Sequence, residues 1–196
     1  MKAETKWSID QAHSQIAFKV RHLMIAHVNG TFKKFDASIY TTDKNFFTAQ
    51  IDLWIDASSI STGDSKRDEH LKSVDFLDVE NHKQITFTSS TIEKSRINGT
   101  HELWGELTIR GVTKNVKMDV AFGGNYTDSL GIEKAGFSIS GIINRKDWEL
   151  EWNSKMETGG VMVGDEVSIF CEIELINIGF RDLTIKIEPK TTQMIM

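Results

Sequence analysis

The sequence predicts a mainly β protein, an antiparallel up-and-down barrel of about eight strands with one short amphipathic helix against it. Three observations predict this class. Eight segments alternate apolar and polar residues with the period of two that marks a half-buried strand. Two-residue turns at Asn98-Gly99 and Arg110-Gly111 link neighbouring segments as hairpins. One segment alone has helical spacing. With 196 residues, the chain suits a single domain with a sizeable core.

The alternating segments follow one another along the chain. In the first, Ile16 and Phe18 share a face with His22, while Lys19 and Arg21 point to the other side. The same alternation recurs in each later segment, which indicates that one face of every strand is buried. The strands are predicted at residues 16–22, 35–39, 49–55, 84–88, 102–110, 115–122, 135–143 and 166–175.

Two other segments break the alternation, and a third resumes it near the C-terminus. Residues 65–78 place Leu71, Val74 and Leu77 three apart, which predicts the short amphipathic helix. Residues 147–160 are rich in aromatic and polar side chains and are predicted to form a loop with a helical turn that caps an opening. Residues 182–187 alternate again before the only proline and predict an extra edge strand, followed by a frayed tail.

Closure into a barrel hides the sheet edges that so many antiparallel strands would otherwise expose. A barrel of about eight strands is either filled by its own side chains or holds a small ligand. The rival architecture is a two-sheet sandwich, whose apolar faces pack on each other and leave no cavity. Alternation alone does not choose between a filled and a hollow interior.

Composition excludes several classes of function. Acidic residues exceed basic ones by 28 to 23, and no Lys/Arg block interrupts this balance, which argues against a nucleic-acid partner. No stretch approaches the roughly 20 apolar residues of a membrane-spanning helix, so stable membrane insertion is not expected. The start MKAETKWSID lacks the apolar run of a secretory signal, and the single cysteine indicates no disulfide. We therefore expect a cytoplasmic protein, or a periplasmic one if a signal was removed before the numbering.

Five motifs, in this order and at these separations, resemble the successive signatures of the YceI-like family of lipid-binding proteins. The resemblance extends over residues 7–176, and the domain is accordingly predicted at 1–176 with a C-terminal extension at 177–196. For this extension the alternatives are the edge strand and tail or a homodimer contact. The motifs are AHSQIAFKVRHLMIAHVNGTF, DSKRDEHLKSVDFLDVENHKQITF, GELTIRGVTKNVKMDVAFGG, INRKDW and VGDEVSI.

The resemblance implies a lipocalin-like barrel of a bacterial protein around a long apolar tunnel. The implied ligand is a polyisoprenoid or another long-chain amphiphile such as an isoprenoid quinone, with no other cofactor and no established enzymatic activity. Two positions depart from the family's pattern: Lys83 replaces a proline before Ile-Thr-Phe, and Glu149 replaces a glycine in the loop near the mouth.

The inward faces of the predicted strands supply the tunnel lining. Gly105 and Gly141 share this inward face, where a missing side chain either permits strand bending or leaves room for a chain-like ligand. The lining residues are predicted to be Phe18, Val20, Ile39, Leu53, Phe87, Leu107, Met118, Val120, Phe137, Ile139 and Ile169.

Two polar residues share the inward face. His22 must find a hydrogen-bond partner if it is buried, either a neighbouring strand or helix residue or the headgroup of a ligand. Arg145 ends the inward series of its strand and is predicted to pair with Asp68 or Glu69 of the short helix, or else to bind ligand oxygens.

No catalytic or metal-binding constellation is recognisable. His13, His22 and His27 lack the spacing of metal ligands, and neighbouring His13 and Ser14 point to opposite faces of a strand, so a nucleophile–base pair is not expected. Cys171 belongs to an apolar series and is predicted to be inert. A non-enzymatic lipid carrier or store is therefore the main hypothesis. The alternatives are an enzyme that uses His22 or Arg145 on such a lipid, and an interaction module with a packed core.

Overall fold

The computed structural model describes residues 4–95, 99–154 and 161–181. These residues form eleven strands, one α-helix and two short 3-10 helices at Ala57–Ser59 and Arg145–Trp148. The helix α1 spans Ser65–Lys72. The strands are β1 Glu4–Ile9, β2 Gln15–His22, β3 Ala26–Phe32, β4 Phe35–Thr42, β5 Asn45–Asp56, β6 Ile60–Ser61, β7 Gln84–Lys94, β8 Thr100–Ile109, β9 Val112–Thr127, β10 Glu133–Asn144 and β11 Val163–Arg181.

Eight strands close into an antiparallel barrel, as the alternation predicted. Around the ring the order is β1, β4, β5, β7, β8, β9, β10 and β11, and β11 pairs with β1 to complete it. The pair Ile9 and Leu175 belongs to this last seam, and Trp7 pairs with Ile39 on the other side of β1. Closure leaves no open edge in this ring.

The other three strands continue strands of the ring at one end of the barrel. β11 pairs with β1 along Leu175–Arg181 and with β2 along Val163–Glu172, so β1 and β2 lie end to end beside it. In the same way β3 pairs with β2, and the short β6 pairs with β3. The predicted strand 16–22 is thus the second half of a long interrupted strand. β1, β3 and β6 were not predicted from the sequence, because β1 and β6 are short and β3 carries an Asn29-Gly30 pair that resembles a turn.

The helix is shorter than predicted. Asp64 caps its first turn by accepting a hydrogen bond from the Arg67 N–H at 3.0 Å, and the chain leaves helical geometry at Ser73. The segment that follows folds back, with the Leu77 N–H donating to the Leu71 carbonyl at 3.0 Å. Leu77 is buried as expected, but Val74 is 65% exposed, so its placement on an inward helical face was wrong. Within the described residues, no helix has the length and apolarity needed to span a bilayer.

Two turn predictions have different outcomes. The Arg110-Gly111 turn is confirmed, because β8 and β9 are joined there with both residues at positive φ, 49° and 76°. At the other turn Asn98 lies outside the described residues, although β7 and β8 pair as the predicted hairpin. The strand β11 continues past 176 to Arg181, while the predicted edge strand at 182–187 also lies outside the described residues. The division of the chain at 176 therefore stays a prediction.

Candidate functional site

The barrel encloses a chamber with a wholly apolar wall, here called chamber A, with a volume of about 200 Å³. By comparison, a single buried water needs roughly 10–15 Å³. Every lining residue is Ile, Leu, Val, Ala, Phe, Met or Cys. Ten of the eleven predicted lining residues lie on this wall: Phe18, Ile39, Leu53, Phe87, Leu107, Met118, Val120, Phe137, Ile139 and Ile169.

Aromatic rings pack at the end of chamber A where the β4–β5 hairpin lies. Phe46 sits 4.9 Å from Trp7 and 4.8 Å from Phe137, measured between ring centroids. Phe122 packs on Phe137 at 5.3 Å and is itself 46% exposed. These tilted and edge-on contacts are the geometries that aromatic pairs prefer, so the rings form a stable end wall.

A second chamber, chamber B, lies at the opposite end and has a volume of about 260 Å³. Val20, the eleventh predicted residue, lines this chamber. Its wall includes α1 and the segment after the 3-10 helix Arg145–Trp148, through Leu71, Leu150 and Trp152. The wall also carries the nitrogen-bearing side chains Arg21, His22, Arg67, His70 and Arg145, and no acidic residue is among its described lining residues.

Four residues line both chambers and form the waist between them: Phe18, Phe32, Ile109 and Ile169. The Phe18 and Phe32 rings are 5.8 Å apart between centroids. The two chambers therefore lie next to each other inside the barrel, chamber A with an apolar wall and chamber B with polar groups in its wall.

Three glycines in the barrel wall make room for side chains of neighbouring strands. A Cβ atom at Gly30 would lie 2.2 Å from Phe18 Cζ, and one at Gly141 would lie 2.2 Å from Met118 Sδ. At Gly105 it would lie 2.4 Å from Phe87 Cζ. The space beside Gly105 and Gly141 is thus filled by the side chains of Phe87 and Met118. This contradicts the alternative that these glycines leave room for a ligand.

The predicted ion pair between Arg145 and the helix does not form. Its buried guanidinium donates to the carbonyl oxygens of Gly164 at 2.9 Å, Trp152 at 2.9 Å and Leu150, and it forms an ion pair with Asp165 at 3.5 Å. Desolvation lowers the pKa of Arg145, and the charge of Asp165 opposes this shift. The prediction of Asp68 or Glu69 as partner was wrong because the strand end turns toward the start of β11 rather than toward α1.

His22 lies at the end of β2, half-buried in the wall of chamber B. It pairs through its backbone with Ala26 of β3 and lies beside Val163 of β11. Among the described residues, none forms a hydrogen bond with its imidazole. The hydrogen bond predicted between His22 and a neighbouring strand or helix residue is therefore not found among the described residues.

Comparison with known proteins gives a concordant assignment. The model of the YceI-like domain matches residues 7–175. A UPF0312 protein of Staphylococcus epidermidis is 37% identical over 171 residues, which are 87% of this chain and 96% of that protein. The chain belongs to the YceI-like family.

Solved structures share the fold of this YceI-like chain. BcnA of Burkholderia cenocepacia matches with a TM-score of 0.72 at 23% identity, covering 85% of this chain and 98% of BcnA. A polyisoprenoid binding domain from Saccharophagus degradans, implicated in plant cell wall breakdown, matches with a TM-score of 0.61 at 13% identity. That match covers 87% of this chain and 98% of the domain. The predicted family and barrel class are both confirmed.

Two polar residues of chamber B were missed by the sequence analysis. Arg67 donates from Nε to Thr62 Oγ1 at 2.7 Å, and His70 Nε2 lies 2.9 Å from Asp75 Oδ2. The His70 ring also stands edge-on to Trp152, with centroids 4.5 Å apart. Arg67, His70 and Leu71 stand at i, i+3 and i+4, and this spacing could have placed both polar residues on the inward face of α1.

Cys171 faces chamber A from the middle of β11. Burial raises the pKa of its thiol to about 12, and the charge of Glu172 adds to this shift. The thiol is therefore protonated at neutral pH, which agrees with the inert role expected for it.

The only group of three potential metal-ligand side chains found among the described residues lies on the barrel surface. Asp10, His13 and Glu174 bring one ligand atom each within 4.8 Å of the others. The Lys134 ammonium already donates to Glu174 at 2.7 Å and Asp10 at 3.3 Å. Both carboxylates are thus already bound by the Lys134 ammonium, and the cluster is an ion-pair network that joins β10 and β11 to the β1–β2 connection. Ser14 hydrogen-bonds the Glu174 backbone and is not paired with His13.

We expect this network to add stability that acid removes. The pKa of Asp10 is lowered from 3.8 to about 2, chiefly by the hydrogen bond with His13 and also by those from Lys134 and the Ala12 N–H, while burial opposes the shift. Because the pKa is lower in the folded state, the stabilisation is present above pH 3.8 and is lost as the pH falls toward 2. Asp10→Asn should therefore lower the free energy of unfolding at pH 6 but have little effect near pH 2, as measured by urea denaturation. Asp36→Asn, at an exposed carboxylate outside the network, is the control, and a pH-independent Asp10→Asn effect would contradict the assignment.

Gly105→Ala is expected to destabilise the barrel. The added Cβ would lie 2.5 Å from the Thr88 carbonyl oxygen, a backbone atom that cannot move without disturbing β7. Overpacking of this kind costs about 1–3 kcal/mol, which urea denaturation will detect. Gly136→Ala is the matched control, because no atom lies within 4 Å of its added Cβ. Equal stability of the two variants would contradict the packing argument.

Proposed function

We propose that this YceI-like protein binds a long-chain isoprenoid lipid inside the barrel and carries or stores it without chemical change. The observation that carries the proposal is the lining of chamber A, in which no residue offers a hydrogen-bonding group stronger than a thiol or thioether. Water in such a space lacks partners, whereas an apolar chain there buries methylene groups worth about 0.8 kcal/mol each.

The form of the interior supports a chain-like ligand. The waist at Phe18 and Ile169 separates two chambers of similar size, so a compact ligand would occupy one chamber and an extended chain would thread both. The Saccharophagus degradans domain described as polyisoprenoid binding shares this fold at low identity. It supports the ligand class only by analogy of fold, and the case for this chain depends on its own apolar wall.

The polar groups of chamber B support a headgroup at that end. His22, Arg67 and His70 carry N–H donors in a wall without described carboxylates, which suits a group rich in acceptor oxygens. Quinone carbonyls and a phosphate share this property, and the proposal is for that shared chemistry. The Arg145 guanidinium donates to three backbone carbonyls and to Asp165, so we assign it a structural role. The proposal includes no catalytic residue.

The proposal is tested by native mass spectrometry of the purified protein, with organic extraction and identification of any released lipid. We expect a bound long-chain isoprenoid, or stoichiometric uptake of an added isoprenoid quinone by extracted protein. A protein that is empty after expression and takes up no long-chain isoprenoid would overturn the proposal. Chemical conversion of the added lipid would instead support the enzymatic alternative.

His22→Leu should weaken the binding of an isoprenoid quinone about fivefold, because one hydrogen bond contributes about 1 kcal/mol. Affinity for squalene, an isoprenoid without a headgroup, should be unchanged. His27→Leu is the matched control, since His27 is exposed on the neighbouring strand and does not line either chamber. Fluorescence titration with both lipids measures the effect. If the histidine variants bound the quinone equally well, His22 would have no role at the headgroup.

A further inference from the structure

The β2–β3 hairpin ends in an apolar tip that folding does not explain. The tip consists of Leu23, Met24 and Ile25, of which Ile25 is 86% exposed and Met24 45% exposed. Leu23 and Met24 have φ values of 51° and 62°, in the left-handed region that turns usually assign to Gly or Asn. Large apolar side chains do not favour this backbone, and Met24 and Ile25 gain little burial here. Their presence points to a contact made outside the folded chain.

The hairpin is cationic in an acidic chain. Residues 15–32 contain one Lys, one Arg and two His but no Asp or Glu, although the whole chain has a net charge of −5. Arg21 and His27 form the second residue pair below the tip and are both exposed, and Lys19 lies two pairs further from the tip. Two carboxylates of the neighbouring strand β11 lie near this hairpin. Asp165 is paired with Lys146 at 2.8 Å, and Glu166 is exposed.

The tip adjoins chamber B. Val20, His22 and Val28, at the base of the hairpin, line that chamber, and so does Met162 across from it. The Leu23 N–H donates to the Met162 carbonyl at 2.8 Å, which fixes the tip beside the chamber wall. The apolar tip, with the cations Lys19 and Arg21 behind it, thus lies beside chamber B at the surface of the protein.

We propose that the tip 23–25 docks on the surface of an anionic lipid bilayer and brings chamber B to it for lipid exchange. Apolar side chains that enter the interface, together with cations that face anionic headgroups, are the combination that gives reversible membrane binding. The docking site follows from the hairpin itself, whereas its use in lipid exchange rests on the proposed function.

The opposite end of the barrel offers a matched control. Leu130, in the β9–β10 turn, is 83% exposed, as much as Ile25. The turn around it carries a carboxylate and no cation: Asp128 accepts from the Leu130 N–H at 2.9 Å, and residues 125–132 contain no Lys or Arg. An exposed apolar residue with this acidic surround should not bind an anionic surface.

The test is sedimentation of the full chain with phosphatidylglycerol vesicles and with phosphatidylcholine vesicles, at low and high salt. We expect binding to the anionic vesicles only, weakened by salt. Ile25→Asp should lower the affinity about tenfold or more, since it replaces buried apolar surface with a repelled charge. Arg21→Glu should lower it as well, and Leu130→Asp should leave it unchanged. Circular dichroism melting curves identify any variant that fails to fold.

Three results would overturn the proposal: no binding of the wild type to phosphatidylglycerol vesicles, equal loss in Ile25→Asp and Leu130→Asp, or vesicle-independent dimers that Ile25→Asp dissolves. The last result would assign the tip to self-association. Uptake of an isoprenoid quinone from detergent micelles is measured in parallel. If uptake fails while vesicle binding holds, the lipid-binding proposal fails and the docking surface stands.

Discussion

Ile169→Trp is expected to abolish the binding of isoprenoids long enough to occupy both chambers. Ile169 lies in the waist with Phe18, Phe32 and Ile109, so an indole at this position would block the path that the proposed ligand takes between the chambers. Each five-carbon unit excluded from the interior forfeits about 4 kcal/mol of burial free energy, or about 1,000-fold in affinity. An isoprenoid that fits within one chamber should bind with nearly unchanged affinity. Titration with a series of chain lengths measures this difference.

Phe170→Trp is the matched control for this experiment. Phe170 is the next residue of β11, points outward and is 49% exposed, so the same indole there leaves the interior untouched. Overpacking at position 169 should cost about 1–3 kcal/mol of stability, and a melting curve will show that the variant is folded at the titration temperature. If the folded Ile169→Trp protein bound long and short chains as the wild type does, a ligand path through the waist would be excluded.

Arg145→Met is expected to lower the free energy of unfolding by about 2–4 kcal/mol, because a buried acceptor left without its donor costs about 1–3 kcal/mol. The substitution leaves the carbonyl oxygens of Gly164, Leu150 and Trp152 without their donor and releases the start of β11 from the segment after the 3-10 helix. Urea denaturation measures the change, with the same dependence of the unfolding free energy on urea concentration used for both proteins.

Lys146→Met provides the comparison for Arg145→Met. Lys146 binds the same Asp165 carboxylate, but its side chain is 49% exposed, and such surface pairs contribute about 0–1 kcal/mol. A small effect in both variants would show that the backbone carbonyls are satisfied without Arg145. A large effect in both would assign the stability to Asp165 instead.

Much of the barrel could be predicted because alternation is a local property. Residues two apart on a strand face the same side, so Phe18, Leu107 and Ile139 could be assigned to the interior without knowledge of any partner strand. The short β1 and β3 escaped prediction because they are recognisable only through their pairing with β11 and β2. The end of the helix was not predicted, because the apolar spacing continues to Leu77 although the backbone becomes extended at Ser73.

The polar part of the site was less predictable, since its contacts join residues distant in sequence. Arg145 meets Gly164 and Asp165 only because the chain returns along β10 as β11. Gly105 receives the Phe87 ring from the neighbouring strand, so its role depends on strand register rather than on local sequence.

By itself, the sequence determined the mainly β class and most of the residues that face inward, because both follow from a period of two along the strands. The tertiary structure alone decided that the interior is hollow, that a waist divides it and that polar groups gather at one end. The physical reason is that alternation specifies the direction of a side chain, whereas the space it meets depends on how strands far apart in sequence close the barrel.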